Sequence, residues 1–159
     1  HQFRNLDQVN KKRKQNSDIL LKGLEKYKDL LIPQKIERHT DYFPYILKFL
    51  WKGNHIIKKK DLLKKLNLLG IPFTGGYGRM MHENPIFSKQ IAYKKGWPYS
   101  YSRNKSFKKY YGSGSLPISE SLNIDFLWFK FIHPPNKKKQ MDFIISSFNK
   151  ILKKYNFEN

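Results

Sequence analysis

Residues 41–52 read DYFPYILKFLWK. Aromatic and β-branched side chains favour a pleated, half-buried backbone, so this stretch is read as a strand. Alternation puts Phe43, Tyr45, Leu47, Phe49 and Trp51 on one face. Pro44 has no backbone donor and suits the strand's beginning or a sheet edge, and Gly53-Asn54 ends the run. A strand with one apolar face needs a covering layer. The neighbouring sequence supplies it.

Upstream, residues 3–30 read as one long helix. Phe3, Leu6, Val9, Leu20, Leu24 and Tyr27 fall near helical spacing, with no proline between them. Its polar middle, Lys11-Lys12-Arg13-Lys14-Gln15-Asn16, is expected to cross an exposed stretch. A loop with Pro33 follows. Downstream, residues 58–69 predict a short helix with Leu62, Leu63, Leu66 and Leu69 as its buried stripe and Gly70 as its stop. Ile71-Pro72-Phe73-Thr74 is expected to be a short strand leading into Gly75-Gly76-Tyr77-Gly78. Residues 79–114 read as a long, irregular, lid-like loop with helix possible over 88–94. Residues 117–122 predict a helical turn, and 126–132 (FLWFKFI) a buried strand. Pro134-Pro135 breaks the chain and Asn136 is a candidate cap. In the final helix Met141, Ile144, Ile145, Phe148, Ile151, Leu152 and Tyr155 share one face. The fold class is therefore α/β (α+β): a small antiparallel or mixed sheet of about three strands flanked by helices.

The chain has 159 residues, of which 39% are hydrophobic and 16% aromatic, enough for one compact core and too many for a disordered chain. No apolar run approaches the roughly 20 residues that span a bilayer, so no membrane partner is expected. The absence of cysteine excludes disulfides and thiolate chemistry and points to a cytoplasmic setting. The first residue is His1, not methionine, and a preceding segment is expected.

A net charge of +20 raises nucleic acid as a partner. Arginine is confined to Arg4, Arg13, Arg38, Arg79 and Arg103, however, and alanine to Ala92. Lysine lacks the guanidinium fork that a dedicated binder uses on phosphates and base edges. The charge is read as solvated surface. A stand-alone basic module that binds nucleic acid or another polyanion is the alternative.

No complete catalytic constellation is visible. The five histidines are scattered, with none at the i, i+4 spacing of a helical zinc pair. The glycines at 75–78 match neither a P-loop nor a dinucleotide fingerprint, which wants glycine where Met81 stands. Gly112-Ser113-Gly114-Ser115 lacks the spacing of a nucleophile elbow, and no carboxylate pair has a glycosidase look. Lys58-Lys59-Lys60 and Lys137-Lys138-Lys139 stand at expected helix starts, where anions are attracted. Lysine-rich composition explains them as well.

Several strings, in order along nearly the whole chain, carry a resemblance. They are the opening Leu6-Asp7-Gln8-Val9-Asn10-Lys11-Lys12-Arg13, then Leu69-Gly70-Ile71-Pro72, Gly75-Gly76-Tyr77 and Met81-His82-Glu83-Asn84-Pro85-Ile86-Phe87. Lys95-Gly96-Trp97-Pro98-Tyr99, Leu116-Pro117-Ile118-Ser119-Glu120-Ser121-Leu122 and Phe126-Leu127-Trp128-Phe129 complete the series. Together they resemble the C-terminal region of DegT/DnrJ/StrS-family aminotransferases, which depend on pyridoxal phosphate (PLP). The scyllo-inosose and aminohydroxybenzoate synthase-like branch is the most similar.

That resemblance implies the small domain of a fold-type I enzyme. Residues 1–30 would be the linking helix from a large domain, and 31–159 the small domain. It also implies that PLP and its Schiff-base lysine belong to the N-terminal domain, so no cofactor is expected on this chain alone and no residue here is assigned a catalytic role. The substrate implied is a keto-sugar or cyclitol of sugar, cell-surface polysaccharide or secondary-metabolite biosynthesis. By position, Tyr77, Arg79 and His82 border the substrate pocket, although His82 stands where that branch usually has tyrosine and Met80-Met81 replace a proline-leucine pair. Expected partners are the large domain and a second copy, through exposed aromatics such as Trp97, Tyr99 and Tyr101.

Overall fold

The computed structural model describes residues 2–89, 91, 93 and 111–155. The chain divides into two compact units, one formed by His1–Gly75 with Asp125–Asn159 and the other by Gly76–Ile124.

In the first unit a 3-10 turn (Gln2–Asn5) leads into α1 (Leu6–Leu24), and a second 3-10 turn (Glu25–Tyr27) leads out of it. Strands β1 (Leu31–Pro33) and β2 (Leu47–Trp51), helix α2 (Lys59–Leu68) and the two-residue β3 (Thr74–Gly75) follow. The unit closes with β4 (Phe126–Phe129) and α5 (Lys138–Lys153). The strands form an antiparallel sheet in the order β1-β2-β4-β3. In the register Leu47 faces Phe129 and Phe49 faces Leu127, and these four, with Trp51 and Leu31, turn to the buried side. Lys48, Leu50, Phe126 and Trp128 point to the opposite face and are half-buried. The α/β class is as the sequence predicts. The short apolar run at 31–33 supplies a strand that the sequence reading folded into a loop.

Helices α1 and α5 run side by side in the same direction, because their contacts advance together. Asn16 meets the residues just before α5, and the Tyr27 hydroxyl lies 2.8 Å from Asn149 Oδ1, near the far end of α5. Leu20 and Leu24 of α1 and Met141, Ile144, Phe148, Ile151 and Leu152 of α5 join the sheet's apolar face in one core. The i, i+3, i+4, i+7 spacing of α5 is realised over Met141–Leu152, whereas Tyr155, expected on the same face, lies beyond the helix and is exposed.

Phe73 is the hub of that core. Its ring stacks on Phe129 at 4.8 Å between centroids, meets Phe148 edge-on at 5.4 Å, and lies 6.4 Å from Phe49. It thereby joins β2, β4 and α5. The predicted strand at Ile71–Thr74 shrinks to Thr74–Gly75 for a local reason. Pro72 cannot donate to a ladder, and the Phe73 N–H turns back to the Ile71 carbonyl at 2.9 Å. This three-residue turn drives the Phe73 side chain inward and leaves only two residues to pair with β4. Gly70 ends α2 at φ 75°, a left-handed conformation that glycine adopts without Cβ strain.

Four further expectations are corrected. The polar middle of α1 is not a uniformly exposed stretch: Asn16 is buried, and its Nδ2 donates to the carbonyls of Ile132 (2.8 Å) and Asn136 (3.0 Å). A buried amide is tolerated because both bonds are made. The helix predicted over 3–30 yields to 3-10 turns at both ends of α1. Phe43 and Tyr45 do not share the buried face of β2, since pairing begins at Leu47; they are 48% and 68% exposed on the loop formed by residues 34–46. Asn136 does not cap α5; Lys137 does, with its N–H given to Gln140 Oε1 at 3.0 Å. The possible helix at 88–94, the string at 95–99 and the aromatics Trp97, Tyr99 and Tyr101 lie outside the described residues, apart from Ser88, Lys89, Ile91 and Tyr93.

The aromatic hub sets the first expectation. Phe73→Ala is expected to lower the unfolding free energy by about 3–5 kcal/mol, because the flat contact with Phe129 leaves a void that cannot collapse. Urea unfolding of the whole chain measures it, and a loss below about 1 kcal/mol would contradict this role for Phe73.

Candidate functional site

The sequence reading places its candidate residues in 77–82, and these lie in the second unit. The loop there is shaped by one residue of α4 (Pro117–Asp125) that the reading passed over. Asn123 Oδ1 accepts the Tyr77 N–H at 2.9 Å, and its Nδ2 donates to the Gly78 carbonyl at 3.3 Å. A side-chain amide offers a donor and an acceptor side by side, so one residue holds both strands of a tight turn. Gly76 makes this possible. At φ 65°, a Cβ there would lie 3.0 Å from Asn123 Oδ1 and 3.1 Å from the Asn123 carbonyl. Both the backbone and the space require glycine. The turn presents Tyr77 with 66% of its surface open, and Arg79 is exposed as well.

His82 is different. It sits in a 3-10 turn (Met81–Glu83) and is only 5% exposed. Its Nε2 lies 2.8 Å from Glu120 Oε1 in α4. An ionised carboxylate only accepts, so Nε2 carries the proton in this pair. The His82 carbonyl accepts the Gly112 N–H at 2.9 Å. Glu120 also takes the Gly114 N–H on both oxygens at 2.9 Å and the Leu116 N–H at 3.2 Å. One carboxylate thus gathers the turn holding His82 and the approach to α4. Those bonds, from Gly114 first, then Leu116 and His82, hold the Glu120 carboxyl below its ordinary value of 4.5. Just after His82, Asn84 caps the short α3 (Pro85–Ser88) by accepting the Ile86 N–H at 3.1 Å, and Phe87 stacks on Tyr111 at 5.6 Å.

Of the three candidates, then, Tyr77 and Arg79 are presented on an exposed turn, whereas His82 is buried with one ring nitrogen engaged by Glu120. Among the described residues no three His, Asp or Glu side chains lie close enough to hold a metal ion. No described helix is long and apolar enough to cross a membrane.

No family model and no curated protein matches the chain. Among solved structures it is similar to a DegT DnrJ EryC1 StrS aminotransferase from Brucella abortus, with a TM-score of 0.63 and 18% sequence identity. The likeness covers 94% of this chain and 33% of that one. The fold is shared with part of an aminotransferase. The chain spans about a third of the length of the protein it matches.

PLP would need a lysine shielded from water, a cradle for its phosphate and an aromatic against its ring. Lys59, at the start of α2, is the described lysine whose amine burial pushes down, and the nearby Asp125 carboxylate opposes that shift. Asp125 is itself paired with Lys52 at 2.7 Å. A nearby carboxylate disfavours an anionic cofactor at that amine, so Lys59 does not suit the role of PLP carrier.

The Glu120 node gives a pH expectation with a definite sign. A carboxyl whose folded value is depressed stabilises above its unfolded value, and that contribution is lost as pH falls through the folded one. The Gly114 and Leu116 amides are therefore expected to lose exchange protection as acid is added below the ordinary glutamate range. In Glu120→Gln the protection should be weak at every pH. Equal, pH-independent protection in both proteins would show that Glu120 does not organise this segment.

Proposed function

We propose that this chain is the smaller portion of a PLP-dependent aminotransferase of the DegT/DnrJ/StrS type, close to the inositol-ketone and aminohydroxybenzoate branch. The observation that carries the reading is the likeness of nearly the whole chain to one third of such an enzyme. The colinear strings from Leu6 to Phe129 support it independently. The reaction is transfer of an amino group to a keto-sugar or cyclitol in sugar, cell-surface polysaccharide or secondary-metabolite biosynthesis, in the cytoplasm. The partner domain holds PLP and the lysine that carries it, and supplies the electron sink. This chain contributes a wall of the substrate pocket.

Within that wall Tyr77 and Arg79 are the residues presented to a ligand, and the Gly76–Asn123 turn is what aims them. An arginine and a phenol suit the hydroxyl groups of a sugar or cyclitol, and the guanidinium suits any attached phosphate. His82 is paired with Glu120, which ties the turn holding His82 to the approach to α4. The exposed apolar side chains of the same unit, Met81 at 72%, Ile118 at 77% and Ile124 at 68%, suit contact with the partner domain or a second copy.

The purified chain incubated with PLP, an amino donor and keto-sugars is expected to give no aminotransfer above that of the same mixture without protein. Turnover by the chain alone would refute the proposal that its chemistry depends on a partner domain.

A further inference from the structure

Tyr45 lies on the loop between β1 and β2, whose base is closed by the Gln34 N–H on the Lys48 carbonyl at 3.1 Å. Tyr45 is 68% exposed, and Phe43 on the same loop is 48% exposed. The Arg13 guanidinium stands 6.0 Å from the centre of the Tyr45 ring. Arg13 makes one long bond, from Nη1 to Asn10 Oδ1 at 3.4 Å, while its Nε is buried and has no hydrogen-bond partner among the described residues. An arginine is thus held near an open aromatic side chain.

The surroundings are cationic. Lys11, Lys12 and Lys14 flank Arg13 and are exposed. One turn further along α1, the two bonds of Asn16 to Ile132 and Asn136 bring the start of α5, with Lys137, Lys138 and Lys139, to the same end of the unit. Two lysine runs some 120 residues apart therefore converge. Among the described residues their carboxylate partners are Asp18 for Lys14 and Asp142 for Lys138, both exposed pairs that compete weakly with a ligand.

We infer that this surface binds single-stranded nucleic acid, with Tyr45 as a stacking platform for a base, Arg13 beside it, and the two lysine runs on the phosphates. An open ring next to a guanidinium within a basic track serves unpaired bases, whose faces a duplex conceals. Lysines make point-charge contacts that follow a backbone without reading sequence. The +20 charge alone does not carry this inference. The convergence and the open ring do, and neither depends on the aminotransferase reading.

Fluorescence anisotropy of the whole chain with a labelled single strand of roughly 20 nucleotides tests it, beside a duplex of the same sequence and heparin. The single strand should bind more tightly than the duplex, with affinity falling steeply as salt rises. Tyr45→Ala should weaken single-strand binding by about tenfold and leave the duplex and heparin unchanged, and Tyr45→Phe should restore it. Changing Lys150→Gln and Lys154→Gln together, at the far end of α5, should weaken it by no more than about twofold. Tyr45 is mostly open, so the variants should unfold at the same urea concentration as the parent. Absence of binding, equal affinity for duplex and heparin, or an unaffected Tyr45→Ala would each overturn the inference.

Discussion

Everything in the first unit depends on where Phe73 goes. A sheet of such short strands has too few ladder bonds to persist without an apolar layer against it. That layer is assembled around one ring that reaches β2, β4 and α5 together. The ring is delivered by a backbone turn, Ile71 to Phe73, that the adjacent proline favours by withholding a donor. The same turn shortens β3. A weakness in the ladder and a strength in the core are thus two consequences of one local sequence, and burial of several large side chains, each contributing about 1.5–3 kcal/mol, outweighs the few missing ladder bonds.

The second unit is organised by polar side chains instead. No residue of α4 is buried, yet the helix supplies both Glu120 and Asn123. One binds the His82 turn and the approach to α4; the other binds the turn carrying Tyr77. In a chain with 32 lysines and arginines against 12 acids, a carboxylate given over to backbone N–H groups is conspicuous. It accepts local donors in place of pairing with a cation. Its effect is to fix the turn holding His82 and the approach to α4.

The sequence made some of this legible and concealed the rest for physical reasons. The spacing of α5 was plain because a helix with one apolar face repeats its signal through four turns. The strand at Leu47–Trp51 was visible, but its start was not. Phe43 and Tyr45 continue the alternation of that strand perfectly, and only the absence of pairing partners releases them into a loop. Asn16 sits inside a polar run that reads as solvated, and nothing local reveals that its partners lie more than a hundred residues away. Tyr77 and Arg79 could be named from a resemblance, whereas Asn123, which sets their turn, carries no signal except a polar residue in the last turn of a helix.

On the proposed reading the chain would supply a scaffold and a loop, and the reaction would belong to the partner domain. The most direct measurement replaces the matching third of the Brucella abortus aminotransferase with this chain and assays aminotransfer once the hybrid is shown to be folded and loaded with PLP. The account predicts measurable turnover that Arg79→Ala reduces about tenfold, the loss of roughly one charged hydrogen bond to substrate. A folded, cofactor-loaded hybrid with no turnover would contradict it.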